Sequence, residues 1–361
     1  MADGTPDDKP QIGMVIEHAA GKFRVLRNIA SGPFSDVFIV ADADDRKKKY
    51  AMKCERQNGN VRAVLKLDVM VLNSMKQRNA IGFPATVAVG RTEGYKFIIM
   101  QLLGPDLGKL RRSVPDKKFT MGTALKVGLQ ALDRLQALHD AGWLCRDVKA
   151  PNLVIGSVDE GDDLIYMLDF GFARKFRDAE GRLIPPRANA ALVGTFQYAP
   201  LAAHAHKDQA PKDDLESWLY MVIELMRGPL PWGSLKDYHD MGTYKKSLRE
   251  ERRAEFFKAL PEQIPKIMDM IDKLDYFDTP DYDGLRRELH VAALRDDLDL
   301  TTLPFDWQIQ RWMLRRAVFV GDLGESNLAS ARLAEADATT ADSDDDRSSL
   351  PIDRTPPIDA S

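Results

Sequence analysis

The sequence predicts an α+β protein of two unequal lobes, a small five-stranded β lobe with one helix followed by a larger, mainly helical one. Two observations carry this. From Phe23 to Leu103, short β-branched and aromatic runs (FRVLRNIA, DVFIVAD, KKYAMKCE, PATVAVGRT, YKFIIMQLL) are interrupted by one helical stretch, VRAVLKLDVMVLNSM. After Gly104, long helical periods take over. In TMGTALKVGLQALDRLQALHDAG, the residues Leu125, Leu129, Leu132, Leu135 and Leu138 mark one face behind a Thr120 cap. DDLESWLYMVIELMRG is apolar around most of its circumference, which predicts a buried central post, and Gly228 supplies its stop. No repeat of solenoid or propeller period is present.

At 361 residues and 44% hydrophobic, the chain can bury a large core. A net charge of −4 argues against a global electrostatic attraction to nucleic acid or membrane surfaces. The two cysteines, Cys54 and Cys145, lie far apart and suit reduced thiols rather than a disulfide framework. The acidic N-terminus lacks an apolar h-region, and no run approaches the roughly 18 apolar residues of a spanning helix. The expectation is a cytoplasmic protein, with the nucleus also open, that acts as a monomer without nucleic acid or membrane partners. Residues 1–20 and 321–361 read as disordered tails flanking lobes at 21–103 and 104–320. Ten acids against three bases in 321–361 leave the rest of the chain with a net positive charge.

The chemistry-bearing residues come in an ordered series. Transfer of a phosphoryl group from ATP needs cations to offset charge, acids to hold Mg²⁺ and a carboxylate to receive the hydroxyl proton. IASGPFSDV, between two strands, stands where a phosphate-covering glycine loop would, making Ile29, Ala30, Ser31 and Gly32 candidate nucleotide contacts. Only Gly32 survives of G-x-G-x-x-G, Ala30 and Ser35 replacing the others, and Pro33 removes a donor; alone, this is an ordinary hairpin turn. Lys53 in YAMKCE stands where V-A-I-K carries its phosphate-binding lysine. On the next helix, Asp68 sits within an apolar face and needs a partner, which Lys53 can be. Kinases normally use Glu there, so a shorter Asp predicts a closer helix or a looser pair.

CRDVKAPN reproduces H-R-D-x-K-x-x-N except at its first residue. Asp147 is the candidate base, Lys149 offsets phosphate charge and favours Ser/Thr acceptors, and Asn152 binds Mg²⁺. Cys145 replaces the usual histidine and reads as a buried packing residue rather than a nucleophile. In YMLDFGFARKF, Asp169 of D-F-G is the second Mg²⁺ ligand.

With these motifs the sequence resembles the casein kinase 1 superfamily, and within it the tau-tubulin kinase-like branch, over about residues 21–310. MQLLGPDL, YMLDFGFARKF, PPRANAALVGTFQYAP, DDLESW, LPWGSLKD and LPFDW carry the resemblance. It implies a bilobal protein kinase fold and transfer of the ATP γ-phosphoryl group to Ser/Thr of protein substrates. By the same resemblance, Met100 is the gatekeeper and Gln101 to Leu103 form the adenine-binding hinge. Ala51, Val37, Val154 and Leu168 sandwich the ring, Thr195 positions Asp147 and Lys149, and Asp214 anchors the catalytic loop's backbone. Ala199-Pro200-Leu201 fits neither A-P-E nor the family's usual stretch. Activity without activation-loop phosphorylation is implied, with an anion-anchoring role for Arg146 left open.

Family members favour acidic or phosphate-primed substrates through an arginine at the position of Gln197. With Gln there, Arg187 and Lys236 remain as candidate anion contacts, and a weaker dependence on priming is expected. Ser343, Ser348 and Ser349 in an acidic context suggest tail autophosphorylation, against a plain solvated tail. His204 and His206 carry too few ligands for a metal site. The thinned glycine loop, Asp68 and Cys145 keep open a pseudokinase that binds partners without catalysis, whereas the retained Lys53, Asp147 and Asp169 favour an enzyme. A lipid or small-molecule kinase is disfavoured by GTFQYAP and LPWGSLKD.

Overall fold

A computed structural model describes residues 9–57, 64–157 and 161–320; the expected acidic tail, with its three serines, lies outside them. Among the described residues, the first lobe contains β1 (Val15–His18), β2 (Gly21–Ser31), β3 (Asp36–Asp42), β4 (Lys49–Arg56), α1 (Leu65–Gln77), β5 (Thr86–Arg91) and β6 (Tyr95–Gln101). The strands form one antiparallel sheet in the order β1-β2-β3-β4-β6-β5. The expectation of five strands and an unstructured segment to residue 20 is thereby corrected. VIEH shows too little alternation to read as a strand, but pairing Ile16 opposite Phe23 buries both on one face of an edge ribbon.

Residues opposite each other in an antiparallel pair point to the same face. One face therefore gathers Phe23, Val25, Phe38, Val40, Met52, Cys54, Phe97 and Ile99 into a core of its own. The other gathers Val37, Ala51, Lys53, Ile98 and Met100, and Ile98 and Met100 join a core continuous with α1 and the second lobe. The alternation of β4 thus sends Lys53 toward the cleft and its neighbours Met52 and Cys54 away from it.

The second lobe follows with α2 (Leu107–Ser113), α3 (Met121–Asp140), β7 (Trp143–Leu144), β8 (Leu153–Ile155), β9 (Ile165–Met167), β10 (Arg174–Lys175), α4 (Leu201–His204), α5 (Pro211–Arg227), α6 (Tyr238–Ser247), α7 (Arg253–Phe257), α8 (Gln263–Asp272), α9 (Tyr282–Arg295) and α10 (Asp306–Val320). Only Lys212 and Arg227 of α5 escape burial, as expected of a central post. Gly128 lets α3 cross it closely: an added Cβ would sit 3.3 Å from Val222, and the Trp218 indole donates to the Gly128 carbonyl at 2.9 Å.

Thr120 caps α3, accepting from the Thr123 amide at 3.4 Å, and the Asp306 carboxylate of LPFDW ties both threonines to α10. The lobes meet at Gly104, whose amide donates to Ile155 of β8; a Cβ there would lie 2.8 Å from the Gly156 carbonyl. No helix among the described residues is long and apolar enough to cross a membrane.

Candidate active site

Lys53, on β4, reaches into the cleft and meets two carboxylates, Asp68 Oδ2 at 2.8 Å and Asp169 Oδ1 at 2.9 Å. The one-methylene deficit of Asp68 is made up by a close helix, since the pair is tight. Asp68 also accepts the Phe170 amide at 2.7 Å, so one buried side chain grips both the lysine and the D-F-G turn. Burial pulls the Lys53 ammonium down, but the two carboxylates outweigh it and hold it above the ordinary lysine range. Burial pushes the Asp68 carboxyl up despite Lys53. Asp169 goes the other way, because the charge of Lys53, its hydrogen bond and the field of Lys149 outweigh the desolvation.

Two non-glycine residues at the centre of the site have a left-handed backbone, Arg146 at φ 63° and Asp169 at φ 61°. Such conformations cost of order 1–3 kcal/mol and persist only where the surroundings impose them. Around Arg146 the imposing group is Asp214 in the first turn of α5, which accepts the Cys145 amide at 2.7 Å and the Arg146 amide at 2.8 Å. Around Asp169 it is Asp68, through Phe170, and the glycine that follows: a Cβ on Gly171 would lie 3.0 Å from that of Val64.

Between these anchors the catalytic-loop side chains form a closed set. Asp147 Oδ1 accepts from the Thr195 amide at 2.9 Å and the Thr195 hydroxyl at 2.8 Å. Its Oδ2 lies 3.3 Å from Lys149 Nζ and 3.2 Å from Asn152 Nδ2. Lys149 also donates to Thr195 Oγ1 at 2.8 Å, and Asn152 to the Asp147 carbonyl at 2.9 Å. Gly194 makes this approach possible: at φ 89°, an added Cβ would lie 2.4 Å from the Arg146 carbonyl.

The protein kinase domain family matches residues 23–278. The chain belongs to the protein kinases. Among its relatives, serine/threonine-protein kinase spe-6 of Caenorhabditis elegans is 54% identical over 91% of this chain and 87% of that protein. A Dictyostelium discoideum protein named as a serine/threonine-protein kinase is 35% identical over 80% of this chain and 57% of its own length. A C. elegans protein named as a casein kinase I is 31% identical over 78% of this chain and 81% of its own. The kinase fold and its use of ATP and Mg²⁺ for phosphotransfer follow from this membership.

The kinase's own residues fit that metal. Asn152 uses its amide nitrogen on Asp147, so its amide oxygen remains to face an ion, and Asp169 brings a half-exposed carboxylate beside it in the cleft. Hard oxygen donors in small number suit Mg²⁺, which keeps waters and takes substrate phosphates as its other ligands. Among the described residues no cluster of three or more His, Cys, Asp or Glu forms a protein-only metal cage, and His204 and His206 are no exception.

The expected nucleotide contacts divide into three groups. Val37, Ala51, Lys53 and Met100 share the cleft-facing side of the sheet, and Ala30 pairs opposite Val37. Val154 lies on β8, Leu168 follows β9 with its amide on the Asn152 carbonyl, and Gln101 and Leu103 run from β6 toward Gly104. Ile29, Ala30, Ser31 and Gly32 end β2 in a tight turn whose Gly32 amide donates to Ser35 O at 2.9 Å. That amide is committed within the hairpin, Pro33 has none, and the tip instead sets Phe34 edge-on against Phe172, centroids 6.4 Å apart.

Several contributors were not visible in the sequence. Glu55, two residues after Lys53 on the same face, accepts the Leu65 amide at 2.8 Å and starts α1. His139 bridges Asp214 at 2.9 Å and the Tyr282 hydroxyl at 2.6 Å. Asp208 holds Arg187 by two side-chain bonds and one backbone bond, and Arg174 at 3.2 Å. Arg187 is thus already paired, and Gln197 donates to Glu224 at 3.0 Å, which narrows the anion contacts anticipated from sequence. Cys145 is buried, and that burial, with the Asp214 charge, pushes its thiol far up, away from nucleophilic chemistry.

Proposed function

We propose that this kinase transfers the ATP γ-phosphoryl group to Ser/Thr hydroxyls with Asp147 as the proton acceptor. The observation that carries the reading is the convergence of Lys53–Asp169 and Asp147–Lys149–Thr195 in one cleft. Oδ1 is held by the two short bonds from Thr195, whereas Oδ2 has only the longer contacts with Asn152 and Lys149, so Oδ2 is the oxygen assigned to receive the hydroxyl proton. Lys149 offsets charge on the transferred group, and Lys53, held by Asp68, binds the remaining phosphates. Asn152 and Asp169 hold Mg²⁺, which when bound neutralises charge between the phosphates. Val37, Ala51, Val154 and Leu168 sandwich the adenine, Met100 limits its depth, and Gln101 to Leu103 meet its polar edge.

Within the family, the reading is a casein kinase 1 superfamily member of the tau-tubulin kinase-like branch. Its support is the set MQLLGPDL, PPRANAALVGTFQYAP and LPWGSLKD together with the relative named as a casein kinase I. Acidic protein segments are the proposed substrates, with weak dependence on a priming phosphate because Gln197 and Arg187 are engaged by Glu224 and Asp208, which leaves the exposed Lys236 as the remaining candidate contact. The chain is proposed to act as a monomer in the cytoplasm; a dimer mass by light scattering would contradict the first point. The test of function is phosphate transfer to dephosphorylated casein with and without EDTA, followed by identification of the modified residues. Mg²⁺-dependent phosphoserine and phosphothreonine are expected; an absence of transfer would favour a nucleotide-binding pseudokinase.

A further inference from the structure

The stretch from Phe196 to Ala199 links Thr195 to α4 outside any regular helix or strand, so its carbonyls need donors from elsewhere. Buried side chains supply three of them. The Trp232 indole donates to Gln197 O at 2.8 Å, and Lys245 Nζ, from α6, donates to both Phe196 O and Ala199 O at 2.7 Å. The remaining partner of Lys245 is His204 Nε2, 3.1 Å away on α4. Three donors and three acceptors match, which is what a buried ammonium requires.

Lys245 is 0% exposed, and its Nζ lies over the rings of Tyr220 and Trp232, 5.2 and 5.8 Å from their centroids. Among the described residues no carboxylate forms an ion pair with it. Burial brings its ammonium down to about 7, against the pull of the more distant Glu216. Burial and the Lys245 charge hold the His204 imidazole down at about 3, so it stays neutral and can accept. A side chain kept only for packing gains nothing from so costly a charge. What the charge adds is direction: its donors are aimed at the carbonyls beside Thr195, which itself holds Asp147 and Lys149.

We infer that Lys245 is a positioning residue for the protein substrate, fixing Phe196–Ala199 as the wall along which residues flanking the acceptor hydroxyl lie. This rests on the reading of Asp147 as proton acceptor. The nucleotide side of the cleft, Lys53 and Asp169, shares no bond with this wall, so the two KM values separate the effects.

Steady-state kinetics of the full chain, varying casein at saturating ATP and then the reverse, test it. Lys245→Met is expected to raise KM for casein about tenfold, the loss of roughly one strong hydrogen bond's worth of positioning, with KM for ATP unchanged within about twofold. His204→Leu moves the same KM in the same direction by less, and His204→Gln, whose side-chain oxygen can accept, restores it. Equal rises in both KM values, or an unchanged KM for casein, overturn the inference; should Lys245→Met not fold, the His204 pair decides on the same criterion. Amide exchange gives a readout independent of catalysis: faster exchange confined to 195–199 is expected in the variants, and unchanged exchange there overturns the inference. A wild type without transfer would instead defeat the proposed function and leave the exchange result to decide the role of Lys245.

Discussion

The two edges of the cleft are built differently. On the lower edge, Asp147, Lys149, Asn152 and Thr195 are cross-bonded, and Asp214 fixes the loop backbone from beneath. On the upper edge, Ala30, Ser31 and Gly32 are exposed, the Gly32 amide turns into its own hairpin, and one ring contact, Phe34 on Phe172, ties the tip down. The groups proposed to meet the reacting hydroxyl are pre-organised, whereas the proposed cover over the nucleotide offers few fixed donors. In such a protein, changes below should strike kcat, and changes above should strike KM for ATP.

Apart from removal of the base itself, the largest expected effect lies at the meeting point of the lower set. Gly194→Ala places a Cβ against the Arg146 carbonyl at a backbone angle that disfavours it. A displacement of Thr195 and Asp147 by even about 1 Å is expected to lower kcat about 100-fold, measured as initial rate at saturating substrates. A retained kcat would mean that the lower edge is more compliant than its bonding suggests. Asp214→Ala comes next. It strands two amides, one buried and one part-buried, and the His139 ring, and a loss of about 3 kcal/mol is expected from denaturant titration with nucleotide absent. A loss under about 1 kcal/mol would show that the strained Arg146 backbone relaxes without its anchor.

The smallest effect is expected above. Pro33→Gly returns an amide to the tip and is expected to lower KM for ATP about twofold to threefold with kcat unchanged, a fraction of one hydrogen bond. A fall in kcat instead would make the hairpin part of the chemical step and erase the contrast between the edges.

Legibility in the sequence follows the same division. Lys53, Asp147, Asn152 and Asp169 were readable because each sits in a short motif whose chemistry dictates neighbours a few residues away. Asp68 was readable from its cost, a carboxylate on an apolar helix face. Glu55 escaped because a strand carboxylate with a partner in a helix start leaves no local pattern. Asp208, Lys245 and the His139–Tyr282 pair escaped for the related reason that their partners lie 21 to 143 residues away in sequence. Strand β1 was hidden by its brevity: only pairing with β2 gives Val15 and Ile16 a face. The loss of glycines from the β2–β3 hairpin is plain in the sequence, but where the Gly32 amide points is a property of the turn and not of composition.

The most direct measurement compares phosphate transfer from Mg²⁺-ATP to casein by the wild type and by Asp147→Asn, with nucleotide affinity measured on both. The substitution keeps size and hydrogen-bonding shape while removing the acceptor charge, so kcat is expected to fall by about 100-fold to 10,000-fold with affinity for ATP preserved. Equal transfer by the two proteins would contradict the assignment of Asp147 as the group that takes the hydroxyl proton.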